Sequence, residues 1–340
     1  MEIIIALLII AAGSFCQSSS YVPINKVKSW SWESYWLAQG LFAWIVFPLA
    51  GALLAMPEGY SISNLFGMEG APMAVVYGAL WGVGGLTFGL SMRYLGVALG
   101  QSIALGTCSG LGTLLPALFA GEDLFHGKGL VLLVGVAITL AGIAVIGYAG
   151  SLRSQTMSEE ERRAAIKDFA LTKGLAVALL AGLMSACFNL GLEAGAEISA
   201  EFAQLGANDL FVTLPATLLV TLGGAATNFA YCLWQNVRNK SFGDYAKGDV
   251  WINNLLFCAL AGLLWYSQFF GLAVGKKFLA SSPAMLAFAW SILMSLNVIF
   301  SNVWGLILKE WRGVSRKTVI VLVCGLTILI FSLIFPSLFN

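Results

Sequence analysis

The chain has 340 residues, 59% of them hydrophobic and only 10% charged, with a mean hydropathy of +0.86. That balance excludes a soluble domain of this size and describes an integral membrane protein, and a formal net charge of +1 gives no attraction to nucleic acid. A spanning helix needs about 20 apolar residues, so the roughly 200 hydrophobic residues suffice for about ten spans, with little left for a soluble domain.

In chain order, the apolar run that opens at Ile3 is preceded by Glu2, with Lys26 and Lys28 after it. A secretory leader carries its basic residues first, so the run reads as a retained helix. Breaks at charged or Pro/Gly-rich stretches then predict ten helices, over residues 3–21, 34–56, 71–92, 96–119, 129–149, 174–194, 210–234, 250–274, 280–303 and 318–335. Segments near 20 residues fit helices, where a barrel would show alternation over about ten. The fold class expected is all-α integral membrane, ten transmembrane helices in two inverted five-helix repeats. The halves are 1–150 and 174–340, joined by a polar cytoplasmic hinge at 151–173, SLRSQTMSEEERRAAIKDFALTK.

The repeat rests on residues 81–102, WGVGGLTFGLSMRYLGVALGQS, in which a very tight turn between Arg93 and Gly96 joins two spans. The pattern returns 184 positions later at 265–282, WYSQFFGLAVGKKFLASS, matching Trp81 to Trp265, Arg93 to Lys277 and Gly96 to Ala280. Five apolar segments separate the copies, an odd number, so the second copy crosses the membrane in the opposite sense. A second match sets Ala6 against Ala178 and Gln17 against Asn189. Orientation follows from basic residues: with the N-terminus outside, fifteen of the eighteen Lys and Arg fall on the inner side, leaving Lys128, Lys276 and Lys277 outside. Both termini are therefore predicted extracytoplasmic.

Glycine lines the third segment at Gly78, Gly82, Gly85 and Gly89, where close helix packing and approach of a substrate to the backbone are both open readings. The six cysteines lie inside apolar segments with no CxxC spacing and read as small buried hydrophobes. The single histidine, His126, sits in a polar loop, so neither a His-based metal site nor a catalytic triad can be assembled within the membrane. No HExxH, phosphate-binding loop or nucleophile elbow is present, and no enzyme, metal or cofactor is expected.

Polar residues inside spans cost free energy unless they meet a partner or a cavity. Gln17, Thr87, Gln101, Asn189, Asn228, Gln268 and Asn297 are such residues, either as interhelical hydrogen bonds or as ligands of a polar substrate. Trp81, Trp265 and Trp290 lie within spans, whereas Trp30, Trp32 and Trp36 fit interfacial anchoring. Ring faces stack on the C–H face of a sugar and amides bind its hydroxyls, so this combination suits a neutral carbohydrate. Glu193 is the one acid placed within a span and is the candidate for proton coupling; an acid at an outer helix end facing water is the other reading.

Four segments carry a resemblance: KVKSWSWES at 26–34, ALWGVGGLTFGLSMRYLG at 79–96, LLWYSQFF at 263–270 and LKEW at 308–311. They look like the bacterial L-rhamnose/proton symporter family, within the drug/metabolite transporter superfamily, across nearly the whole chain. The resemblance implies ten helices in two inverted halves and uptake of L-rhamnose or a related 6-deoxyhexose with a proton across the bacterial inner membrane. The coupling ion is expected to be the proton, with sodium not excluded, and the oligomeric state is left open. A drug or metabolite exporter of the same fold, or a membrane sugar sensor that binds without transporting, are the alternatives.

Overall fold

The computed structural model describes residues 1–156 and 170–339, with no side-chain description at 97 and 98. The larger part of the 151–173 connection lies outside the described residues. Ten helices are long and apolar enough to cross a membrane, and no strand occurs among the described residues. We number them α1 (Glu2–Ile24), α2 (Trp32–Leu53), α3 (Ala71–Leu95), α4 (Leu99–Phe119), α5 (Gly127–Gln155), α6 (Leu171–Gln204), α7 (Leu214–Asn239), α8 (Gly248–Leu279), α9 (Ala289–Ile307) and α10 (Arg316–Phe339).

Most ends fall near the predicted positions, because a span is delimited by summed hydropathy over many residues. The turn after Arg93 is as tight as expected. One helix ends at Leu95 and the next begins at Val97, with Gly96 between them at φ +81°, a backbone conformation that only glycine adopts without strain. Ala280, the position that the sequence pattern matches to Gly96, has no positive φ. There the chain takes a longer path, because Pro283 supplies no N–H and Ser282 caps a separate short helix, Pro283–Ala287, by accepting from the Met285 N–H at 3.4 Å. Within α6 the helix breaks at Gly195, and Ala196–Gln204 continues as a short amphipathic piece with Ile198 and Phe202 buried.

By packing, the chain forms two compact units, each drawing on both halves of the sequence. The first comprises Ile3–Gly82 and Gly191–Phe278, and the second Val83–Leu190 and Leu279–Asn340 in their described parts. In the first unit small residues admit neighbouring backbones. Gly78 lies on the Val220 carbonyl, Gly13 on Ser267, and Gly262 on Phe42 and Ala43. In the second unit α5 packs along α10, where Gly142 meets Leu329 and Gly325 meets Ile146. Gly84 meets the Ser185 backbone. Gly85 and Gly89 have nothing within 4 Å of a would-be Cβ, so close packing accounts for Gly78 and Gly82 but not for these two.

One end of the first unit is closed by a polar network. The Glu33 carboxylate accepts from Asn239 Nδ2 at 3.0 Å and Ser241 Oγ at 2.7 Å. Asp244 accepts from the Ser31 N–H at 2.7 Å, Ser34 Oγ at 2.9 Å and Lys247 Nζ at 2.6 Å. Burial raises the Asp244 carboxyl, but these donors outweigh it and hold the pKa down to about 2. The start of α2 is thereby tied to the end of α7.

Candidate functional site

In the first unit the chemistry gathers around tryptophan. Trp81 of α3 and Trp265 of α8, the two positions that the sequence pattern matched, stack with ring centroids 5.7 Å apart at 29°. Trp44 meets both edge-on, at 6.2 and 6.4 Å, and Trp36 meets Trp44 at 5.7 Å. Phe269 closes the far side against Trp265 at 5.2 Å. Edge-to-face and offset contacts of this kind suit the ring quadrupoles.

Local structure in α2 sets Trp44. Residues Leu41–Val46 form a π-helical segment, in which the Phe47 N–H donates five residues back to Phe42. Pro48 follows and has no N–H for the Trp44 carbonyl, so the α-helical register cannot be kept there. The wider turn sends the indole inward, where it is buried, and Gly40 leaves room for it: a Cβ there would lie 2.3 Å from its ring.

Asn228 of α7 joins three helices. Its Oδ1 accepts from Trp36 Nε1 at 3.1 Å, and its Nδ2 donates to the Gly224 carbonyl at 2.9 Å and the Gly82 carbonyl at 3.3 Å. Trp36 is therefore part of the aromatic cluster, not only an interfacial anchor. Gly224 gives Trp81 its space, since a Cβ would lie 2.2 Å from the indole. Gln268 is buried and donates to the Trp265 carbonyl at 3.1 Å. Gln17 is half-buried near the end of α1, its Oε1 accepting from Ser18 Oγ at 3.3 Å. Glu193 is 45% exposed and pairs with Lys276 Nζ at 3.4 Å.

The second unit brings together Asn189, Trp290 and a residue the sequence reading passed over, Gly112. Asn189 Nδ2 donates to the Gly112 carbonyl at 2.8 Å, and Trp290 Nε1 donates to the Cys108 carbonyl at 3.4 Å. Trp290 stacks on Phe188 at 6.0 Å and 14°. Its indole lies against Gly112, where a Cβ would be 2.4 Å from Nε1. The Oδ1 of Asn189, the hydroxyl of Thr113 and the hydroxyl of Ser295 are buried with no hydrogen-bond partner among the described residues. Buried polar atoms without partners cost free energy, and they read as acceptors held for a ligand or water.

Nearby, Ser109, Ser291 and Thr139 form a buried run of hydroxyls at 3.0 and 3.3 Å. Asn297 is buried on α9, and Gln101 is half-buried at the start of α4. Thr87 returns its hydroxyl to its own helix, donating to the Val83 carbonyl at 2.9 Å, which leaves it little capacity for a ligand. Among the described residues no three His, Cys, Asp or Glu side chains converge as a metal site. His126 sits in the loop before α5, exposed, within 2.7 Å of Asp123.

The first unit thus offers an aromatic cluster, and both units hold buried polar atoms without partners among the described residues, Ser14, Gln39 and Tyr266 in the first and Asn189, Thr113 and Ser295 in the second. Both suit a neutral polyhydroxylated molecule.

Residues 1–336 match the family model described as L-rhamnose-proton symport protein (RhaT). Relatives named L-rhamnose-proton symporter, from Mannheimia succiniciproducens and from Yersinia pestis, are each 34% identical to this chain over 326 and 327 residues respectively. Each alignment covers 94% of this chain and 92% of the relative. With this match across almost the full length, the chain belongs to the L-rhamnose-proton symport protein (RhaT) family.

Proposed function

We propose that this protein imports L-rhamnose, or a closely related 6-deoxyhexose, together with a proton across the bacterial inner membrane. The observation that carries the reading is the family match over residues 1–336. Import proceeds by alternating access, with the ten helices arranged as two inverted five-helix halves, 1–150 and 174–340, in the manner of the drug/metabolite transporter superfamily. The stacking of Trp81 on Trp265, positions 184 apart that the repeat makes equivalent, supports that arrangement. Both termini face the extracytoplasmic side, supported by the fifteen basic residues on the other.

In this reading Trp81, Trp265 and Trp290 offer ring faces to the sugar, while Asn189, Gln268, Asn297, Gln17 and Gln101 supply hydrogen bonds to its hydroxyls. Asn228 holds Trp36 and acts through it. Glu193 carries or gates the proton: it is an acid at a helix end paired with Lys276, and protonation releases that lysine.

The test is uptake of labelled L-rhamnose into proteoliposomes with and without an inward proton gradient, and with a sodium gradient in its place, alongside competing sugars. Gradient-driven accumulation is expected with protons. Glu193→Gln is expected to lose at least about tenfold of the gradient-driven accumulation while still equilibrating sugar across the membrane. Undiminished proton-driven uptake in that variant would remove Glu193 from the coupling step.

A further inference from the structure

The end of the first unit that carries Lys276 and Lys277 holds a small, partly open recess of about 100 Å³, between the close of α6, the start of α7 and the last turns of α8. Glu193 and Lys276 line it with their ion pair, Ser199 and Thr213 contribute hydroxyls, and Phe269 presents its ring.

Three features select a ligand class. The carboxylate and the ammonium lie 3.4 Å apart, so the recess offers one strong acceptor beside one strong donor with no net charge. Two neighbouring hydroxyls match that pair, and an ion of either sign does not. The adjacent lysine does not disturb the balance, because Lys277 is held at 2.5 Å by Asp209. The hydroxyls of Ser199 and Thr213 have no side-chain partner among the described residues, whereas that of Thr217 is spent on the Thr213 carbonyl at 3.0 Å. Phe269 adds an apolar aromatic side chain to the lining, and its ring contacts Trp265 within the same unit.

We propose that this recess is a second saccharide site, which takes a neutral pyranose through Glu193, Lys276, Ser199, Thr213 and the Phe269 ring before the sugar reaches the tryptophans. The site rests on the import reading and on the orientation given above. Its ion pair is loose and half exposed, so a sugar opens it readily, and the site collects substrate at low affinity.

The test uses the full chain in nanodiscs, where both membrane faces are accessible. Thr213→Cys and, as a control on the exposed face of the neighbouring short helix, Gln204→Cys are labelled with a polar maleimide in increasing L-rhamnose, with background subtracted from the parent protein. Saturating sugar is expected to slow labelling at 213 about fivefold or more and to leave 204 unchanged. In proteoliposomes, Ala196→Trp, which fills the recess, is expected to raise the KM for uptake about fivefold while the maximal rate stays within about twofold, the pattern of lost capture without lost translocation.

Uptake by the parent protein with no protection at 213, and an unchanged KM in Ala196→Trp, would overturn the recess and leave the import reading standing. Protection at 213 without uptake would support the recess and overturn import. Neither protection nor uptake would overturn both.

Discussion

A methyl group is too large for position 112. A Cβ there would sit 2.4 Å from Trp290 Nε1 and 2.8 Å from its Cδ1, inside contact distance for a ring that is already stacked on Phe188 and bonded to Cys108. Gly112→Ala is therefore expected to push the indole out of its stack, to destabilise the protein by about 1–3 kcal/mol and to reduce L-rhamnose uptake at least about tenfold. Thermal unfolding in detergent and initial uptake rates measure the two effects, and Gly110→Ala, whose Cβ meets only side-chain carbons at 3.6 Å or beyond, is the matched substitution expected to be mild. The residue types of the candidate site were legible without coordinates: amides and indoles inside spans announce a polar, aromatic environment. Their duties were not. Asn189 and Asn228 look alike in sequence, yet Asn228 spends both ends of its amide on protein partners and Asn189 keeps an oxygen with no partner among the described residues. The difference lies in partners up to 192 positions away, which no local pattern reports. The second duty of Trp36 was hidden for a related reason, since a tryptophan near a span end has the same neighbours in sequence whether or not it also meets another indole.

Helix α2 shows what a hydropathy reading leaves out. The existence of the span follows from an apolar sum, but its π-helical middle depends on a missing hydrogen bond at Pro48 and on the room left by Gly40 for Trp44. Pro48→Ala restores a donor to the Trp44 carbonyl and allows the segment to return to α-helical register, which would turn Trp44 away from Trp81 and Trp265. Uptake is expected to fall at least about tenfold while the unfolding temperature holds or rises, because the repaired helix gains a hydrogen bond worth about 1 kcal/mol. A lower unfolding temperature with full transport would show that the π segment serves packing alone. The turn at Gly96 was legible because a glycine between Arg93 and a new apolar run carries its own physical reason. The path after Lys277 was not, although the expected repeat pointed to a turn there, because Pro283 and the Ser282 cap impose a local geometry that Ala280 does not share with Gly96.

At the scale of the molecule, ten helices and membrane insertion were written in the composition, whereas the grouping of helices into packing units was not. Each unit takes one stretch from early in the chain and one from late, so residues 1–156 and 170–340 each hold parts of both. Neither fragment expressed by itself is expected to accumulate in the membrane, and co-expression of the two is expected to restore at least about a tenth of intact uptake, since helix association in lipid does not need a covalent loop. A single fragment that accumulates stably would show that one half packs without the other. The interleaving also sets a schedule for biosynthesis. When the ribosome has delivered the chain as far as Leu190, neither unit is complete; the first closes only once Phe278 has emerged, and the second waits for the closing residues of the protein. Through most of translation the glycine faces of α3 and α5 therefore stand in the bilayer without their partners on α7 and α10, and the nascent transporter depends longest on the insertion machinery at the stage when more than half of it has already been made.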